Sequence, residues 1–343
     1  MPGVTLLWAL RSPCNLGCRY CYFGTIEDHT LAPPQQPGQL SHLSRGDLDL
    51  NEVSAFVDTL TGSPVSRVFL AGGEPLIWPP VLNVIAAIKQ AGVQVVVCTN
   101  GLPLNRPEVT ARLVELRVDA VSVSLDSTDA GTNDRYRPAR NRVEGWSQVV
   151  SGIQALLAAR AGQAVPRVGL YMVLSRATFA EAADVASLAA ELGCDYFVPQ
   201  PIALAEDHPL HGELALRPGD APAVAAALDR VYRSDLPLHL PDAAYPAQVT
   251  ATVTATGPAL VRGCFGGHTL FFVEPDGSVW DCPSSLRIAA TPATGHRSIR
   301  GHSAEDLFGD HRSTGPRDCP LFSGDCVNMW PLMGFDAFLP VVT

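Results

Sequence analysis

Three cysteines lie within eight residues near the start of the chain: Cys14, Cys18 and Cys21, spaced C-x3-C-x2-C inside SPCNLGCRYCYFG. Soft thiolates packed this closely select zinc or an iron–sulfur centre. A closed tetrahedral zinc site needs a fourth ligand, for which His29 and Cys98 are the nearest candidates. A cubane cluster held by three thiolates instead leaves one iron without a protein ligand, able to bind something exchangeable. Aromatic Tyr20, Tyr22 and Phe23 surround the last thiol. A second set stands far off in sequence. Cys264 and Cys282 follow the order C-x12-G-x4-C, with Gly277 as the internal glycine, and Cys319 and Cys326 come after them. Four cysteines around a hairpin also describe a zinc ribbon, although C-x6-C departs from that fold's usual C-x2-C half. Cys98 and Cys194 stand alone.

Nine cysteines in all, odd in number and unevenly spaced, point to metal or redox chemistry in a reducing compartment rather than a disulfide framework. The chain has 343 residues, 47% hydrophobic and 17% charged, which suits one large α/β domain with a smaller appendage. Its formal net charge of −10 gives no support for nucleic-acid binding. No apolar run approaches the ~18 residues of a membrane span. The opening MPGVTLLWALR lacks a basic n-region and a small-residue cleavage site, so a cytoplasmic protein is expected.

The elements that must position these thiols are legible as an alternation. Strand-like runs are VTLLWAL (Val4 to Leu10), SRVFLAG, VQVVVCTN, DAVSVSLD, RVGLYMVLS and DYFVPQPI. Helical patterns lie between them at Leu48 to Leu60, Val81 to Ala91, Glu108 to Leu116, Val143 to Ala161 and Phe179 to Leu192. The alternation predicts an α/β fold, a partial (β/α)6 barrel of parallel strands. Chemistry in such barrels gathers at the C-terminal strand ends, and the cysteine trio sits there after the first strand. His29 to Asp47 reads as a long loop over the barrel mouth or a surface insertion. A helix near Pro222 to Tyr232 leads into a Thr/Ala/Pro-rich connector at Ala243 to Pro258, and HTLFFVEPDGSVWDCP reads as a hairpin turning at Asp276-Gly277. The expected division is a barrel over 1–215, a helix and connector over 216–259, and a small cysteine-rich hairpin domain over 260–343.

C-x3-C-x2-C with an aromatic before the last cysteine resembles the radical S-adenosylmethionine (SAM) superfamily, whose clusters bind that cofactor at the open iron. LAGGEPL (Leu70 to Leu76) is similar to the family's glycine-rich turn after the second strand. There Gly72 and Gly73 allow close approach of the main chain, and Glu74 can balance the cofactor's ammonium. CTNG (Cys98 to Gly101) and VSVSLDS (Val121 to Ser127) match family positions after the third strand and on the fourth. The resemblance gives Ser124 and Asp126 a place against the cofactor, since alternating residues share a face. NDRYRP (Asn133 to Pro138) resembles a family segment usually written with a His-Asp pair, here with Asn133 in place of the histidine. Arg137 either pairs with the methionine carboxylate or caps the next helix from the surface.

The resemblance implies a 4Fe-4S cluster that reduces SAM to a 5′-deoxyadenosyl radical, which abstracts hydrogen from an unactivated C–H bond. The second cysteine set looks like the family's SPASM or twitch domains and implies one auxiliary 4Fe-4S cluster on Cys264, Cys282, Cys319 and Cys326. A fully ligated cluster suits an electron acceptor, hence net oxidation. The expected activity is oxidation or crosslinking of a ribosomally made peptide in natural-product biosynthesis. Dehydrogenation or epimerisation of a sugar- or aminocyclitol-like metabolite stands as the alternative. An epimerase needs a hydrogen-donating thiol, and Cys98, at a C-terminal strand end, is its candidate; Cys194, at the opposite rim, reads as a buried structural residue. Tyr171, Gln200, Glu206 and His208 are candidate pocket residues. Expected partners are the substrate, an electron donor such as flavodoxin or ferredoxin, and a separate leader-peptide-binding protein, since the trio begins too early for such a domain in front. From a different class stands a non-catalytic zinc-binding interaction protein.

Overall fold

The computed structural model describes residues 3–21, 46–140, 145–204, 206–255, 261–283, 297–309, 317–319 and 326–339. Strands β1 (Val4–Arg11), β2 (Val65–Gly72), β3 (Gln94–Thr99), β4 (Ala120–Ser124), β5 (Arg167–Leu174) and β6 (Tyr196–Pro201) pair in chain order, all parallel. Helices α1 (Leu50–Val57), α2 (Val81–Gln90), α3 (Pro107–Glu115), α4 (Ala130–Tyr136), α5 (Gly145–Arg160) and α6 (Ala182–Leu192) connect them. The result is a mixed α/β fold with a mostly parallel, open sheet, the arrangement of a partial barrel.

Strict alternation along the strands builds two cores. Leu6, Trp8, Leu10, Val68, Leu70, Val95 and Val97 face the helices, while Leu7, Ala9, Phe69, Ala71 and Val96 face the barrel interior. Burial on both faces explains why the strands read as continuous apolar runs. Each fully buried Leu, Val or Phe contributes roughly 1.5–3 kcal/mol.

Several boundaries differ from the sequence reading. Expected helix Phe179 to Leu192 begins as a 3₁₀ turn, Phe179–Glu181, before α6. The expected connector near Ala243 holds helix α8 (Tyr245–Thr254), which follows α7 (Ala221–Arg233). Its Tyr245, Val249 and Val253 recur every four residues and are buried, a stripe masked by the Thr-rich composition.

The hairpin at Asp276-Gly277 is present, and its first arm joins the barrel. After β7 (Val261–Cys264), β8 (Leu270–Val273) pairs in parallel with β1, and β9 (Ser278–Trp280) and β10 (Arg297–Ser298) extend the same sheet antiparallel. Strand periodicity announces the arms but not the neighbour they choose. A final strand, β11 (Arg317–Cys319), pairs with β7 in a separate two-stranded sheet. Residues 326–339 then run along the inner face of the barrel. Phe335 and Phe338 are buried there, with Phe335 at 5.0 Å from the Phe69 ring and Phe338 at 5.2 Å from the Tyr196 ring. Arg67 pairs with Asp336 and lies 5.8 Å over the Phe335 ring, fixing the end of this segment to β2. Among the described residues no helix is long and apolar enough to cross a membrane.

Candidate functional site

The loop after β1 is held from three sides. At its start, Asp47 takes the Ser12 N–H at 3.0 Å and pairs with Arg11 Nε at 3.2 Å. Beside it, the β2 turn donates Gly73 N–H to the Arg11 carbonyl at 2.7 Å and Glu74 N–H to the Pro13 carbonyl at 2.9 Å. Across from that turn, Gly17 N–H reaches Pro138 O at 2.9 Å and Arg19 N–H reaches Tyr136 O at 2.8 Å. The two glycines are a packing necessity. Gly72 has φ +120° with a would-be Cβ 2.6 Å from the Arg11 carbonyl, and a methyl on Gly73 would run into the carbonyls of Ser12 and Pro13.

Glu74 is fully buried, and its carboxylate accepts from Leu76 N at 3.0 Å, Thr99 Oγ1 at 2.8 Å and Asn100 N at 2.7 Å. It therefore ties the β2 turn to the β3 turn. Burial outweighs those donors and pushes its carboxyl up to about 7. Asn100 in turn reaches Asn15 Oδ1 at 2.7 Å and Cys14 Sγ at 3.6 Å.

A third clamp lies under the loop, at Asp126. Its Oδ2 accepts from the Tyr20 hydroxyl and from Arg137 Nη1 at 3.2 Å, and its Oδ1 accepts from Val173 N at 2.8 Å. Asn133 Oδ1 takes the Asp126 N–H at 3.2 Å, which gives that residue a positioning role. Arg137 is buried rather than a surface cap. Its guanidinium pKa is raised despite the desolvation that opposes it, because Cys18, Asp126 and Tyr20 face it.

One cavity of about 300 Å³ opens on these groups. Cys14, Cys18 and Cys21 line it, as do Gly72, Gly73, Ser124 and Arg137. Cys98, Tyr171 and Gln200 line it too, with Asn328, Met329 and Leu332 from the C-terminal segment. Asp126 and Glu74 stand behind the wall, each consumed by hydrogen bonds within the protein. Glu206 is exposed, and His208 Nδ1 accepts the Leu210 N–H at 3.1 Å; both lie off the cavity. Cys194 is buried among the helix-facing residues, as expected of a structural cysteine. His29, Tyr22 and Phe23 lie outside the described residues.

Burial pushes the Cys14 thiol up to about 11, with Glu74 adding to it, so this sulfur needs a bound cation to persist as a thiolate. Three thiols facing one cavity, with the Leu16 N–H directed at Cys14 Sγ at 3.4 Å, fit an iron–sulfur cluster with an open iron. Among the described residues no three His, Cys, Asp or Glu side chains are set to hold a single metal ion.

The second cysteine set also converges. Cys264 and Cys282 both border Gly266, whose would-be Cβ lies 3.5 Å from Cys264 Sγ and 3.3 Å from Cys282 Cβ. Burial pushes the Cys264 thiol up, partly offset by the Gly266 N–H at 3.4 Å, and the nearby Cys319 and Cys326 push it further. The β7–β11 pairing places Cys319 opposite Val261, close to Cys264.

Sequence reasoning missed Asp47, Tyr20 as a hydrogen-bond donor, and Asn328. Only Tyr20, inside the cysteine motif, carried a local signal.

A family model described as the radical SAM superfamily matches residues 13–189. A mycofactocin maturase of Mycobacterium ulcerans is 26% identical over 82% of this chain and 69% of its own length. An AdoMet-dependent heme synthase of Methanosarcina barkeri is 30% identical over 44% of this chain, and that match spans only 38% of the synthase. Among solved structures, Streptococcus suis SuiB bound to S-adenosylmethionine superposes with a TM-score of 0.63 at 13% identity, covering 91% of this chain and 68% of that one. The protein anSMEcpe with bound AdoMet gives 0.65 at 15% identity, covering 91% and 78%.

Proposed function

The chain belongs to the radical SAM superfamily, and we propose that it oxidatively modifies a residue of a ribosomally made peptide. The observation that carries this reading is a cavity lined by both the cysteine trio and the C-terminal segment. When bound, the cluster and SAM supply a 5′-deoxyadenosyl radical that takes a hydrogen atom from an unactivated C–H bond. The chain's own part is positional. Asp47, Gly73, Glu74 and Asn100 fix the thiol-bearing loop against the strand ends. Arg137 presents its charge to the cavity from its pairing with Asp126, and Ser124 offers a hydroxyl beside it. Apolar Leu7, Ala71, Met329 and Leu332 keep water from the reacting carbon.

Coverage favours a peptide substrate over a small molecule. The maturase aligns over 82% of this chain, whereas a GTP 3',8-cyclase of Chlorobaculum tepidum and the heme synthase each align over 44%. Likeness that extends past the barrel supports a maturase. In this reading Cys264, Cys282, Cys319 and Cys326 hold an auxiliary iron–sulfur cluster, a group able to accept an electron, and a flavodoxin- or ferredoxin-like donor and a leader-peptide-binding protein complete the system. A redox-neutral second reading rests on Cys98, which faces the cavity with its thiol pushed by burial up to about 12, and so keeps its hydrogen at neutral pH.

Anaerobic reconstitution tests the proposal. About eight irons per chain, as two cubanes, are expected, together with 5′-deoxyadenosine once reductant and SAM are added. Zinc without iron, and no 5′-deoxyadenosine, would refute it. Peptide mass spectrometry of a deletion strain reads the substrate class through a loss of two hydrogens.

A further inference from the structure

The loop that carries the trio has two sides. Leu16, Cys18, Tyr20 and Cys21 line the cavity, while Gly17 and Arg19 between them do not. Strand-like alternation accounts for this, because the loop runs antiparallel to residues 136–140. Arg140 N–H donates to the Asn15 carbonyl at 3.0 Å, Leu16 bridges to Ala139, Gly17 N–H reaches Pro138 O at 2.9 Å and Arg19 N–H reaches Tyr136 O at 2.8 Å. Arg19, between Cys18 and Cys21, is thereby turned away from the cavity, and it is exposed. Two more exposed arginines flank it. The Arg135 guanidinium is 62% exposed, lies 5.2 Å over the Tyr136 ring and pairs with Glu213 at 3.0 Å. Arg140 both lines the cavity and meets solvent, with its Nε donating to the Leu16 carbonyl at 3.1 Å.

A chain of net charge −10 thus gathers three exposed arginines around its cysteine loop, one of them within it. In the reading above SAM and substrate fill the cavity side of that loop. The electron that starts the reaction then has to arrive from the other side, and electron transfer weakens steeply with distance. We propose that Arg19, Arg135 and Arg140 form the docking surface for an acidic electron-carrier protein of the flavodoxin kind. The carrier loses one electron and the cluster on the trio gains it; no bond is made or broken. Local positive charge on an otherwise acidic protein steers such a partner to this face, since the net charge elsewhere repels it. An acidic stretch of substrate answers the same charges, but Arg19 and Arg135 lie outside the cavity in which a substrate reacts. The inference rests on the cluster reading and names the surface that its electron donor uses.

The test uses the reconstituted holoenzyme and a bacterial flavodoxin. Cluster reduction is followed by absorbance in stopped flow, with either photoreduced flavodoxin or dithionite, and binding of oxidised flavodoxin is read by calorimetry. Arg19→Glu and Arg135→Glu should each slow reduction by flavodoxin and weaken its binding about tenfold, the scale of a lost steering charge. Iron content and reduction by dithionite should stay at the wild-type level. Raising the salt concentration should slow flavodoxin with the wild type and leave the double variant nearly unchanged. Wild-type rates with flavodoxin in both variants would refute the surface while the cluster reading stands. Equal losses with flavodoxin and dithionite would refute it too, because they mark a disturbed loop. Binding of a poly-glutamate peptide where flavodoxin does not bind would reassign the face to an acidic segment of substrate and overturn the carrier. If the wild type takes up no iron, the cluster reading falls and the surface with it.

Discussion

The two cysteine groups of this chain are built in opposite ways. Cys14, Cys18 and Cys21 ride on a loop stitched to three strand ends, with Glu74 bridging β2 to β3 and Asp126 anchoring Tyr20 and Arg137 beneath. Cys264 and Cys319 ride on a two-stranded sheet outside the barrel, where paired short strands are marginal on their own. A site prepared by the fold leaves one coordination position for a small molecule. One drawn together by its own ligand spends every thiol on holding the metal. Under the proposed function the first group would serve the chemistry and the second would hold the auxiliary cluster, and the chain continues from Cys326 into the cavity wall at Asn328.

The sharpest way to break this contrast is to remove one thiol from each group. Any of Cys14→Ala, Cys18→Ala or Cys21→Ala should abolish 5′-deoxyadenosine formation to background. Cys282→Ala should leave SAM cleavage running while the modified peptide disappears; equal loss of both by all four variants would erase the distinction. Stripping iron with a chelator under anaerobic conditions provides the structural counterpart. Hydrogen exchange should rise steeply over Val261–Cys264 and Cys326–Met329 and stay low over Arg11–Arg19, because under the proposed function only the C-terminal set would depend on metal for its shape.

Asp126→Asn probes the prepared side directly. It leaves the Arg137 guanidinium buried without its charge partner, and breaking such a pair costs about 3–5 kcal/mol. Urea unfolding should show a loss of that size. A change below about 1 kcal/mol, the scale of an exposed pair, would mean that the loop is not held from beneath.

Much of this was legible in sequence, for reasons the structure makes plain. The six parallel strands announce themselves because burial on both faces makes them uninterrupted apolar runs. Cys14 to Cys21 and Leu70 to Leu76 are readable because local spacing does their work. The hydrogen bonds of Asp126 were not readable. The residue looks like any acid at a strand end, while its partners Tyr20 and Arg137 lie 106 and 11 residues away. The inward-packed C-terminal segment escaped for the same reason, since Phe335 and Phe338 are ordinary aromatics until β2 and β6 are beside them. The sequence reads Glu74 as a balance for the cofactor's ammonium; its carboxylate also accepts from Leu76, Thr99 and Asn100, donors that no local pattern announces.

That inward arrangement carries a pH signature. Glu74 is raised from 4.5 to about 7 by burial, so between those values the folded state holds a proton that the unfolded state has lost. Its contribution is fully present below pH 4.5 and fades as pH rises through 7, by about 3 kcal/mol at most for a shift of this size. Stability of the wild type should fall across this window relative to Glu74→Gln, and parallel curves for the two would count against the assignment.

The smallest expected effect belongs to the one cavity cysteine that neither group claims. Cys98 faces the same space as the trio, and burial, reinforced by Glu74, keeps its sulfur protonated. In an oxidative reaction that S–H has no task, since the substrate radical ends by losing an electron, and Cys98→Ala should form product within about threefold of wild type, as expected of a packing change rather than a lost reactant. In a redox-neutral reaction the S–H is the source of the returned hydrogen. An exchangeable S–H would then place deuterium from D₂O on the product carbon, and Cys98→Ala would stop turnover. Running the reaction in D₂O therefore decides which fate the substrate radical meets. Deuterium on carbon would overturn oxidation and make Cys98 the third functional thiol site of the chain.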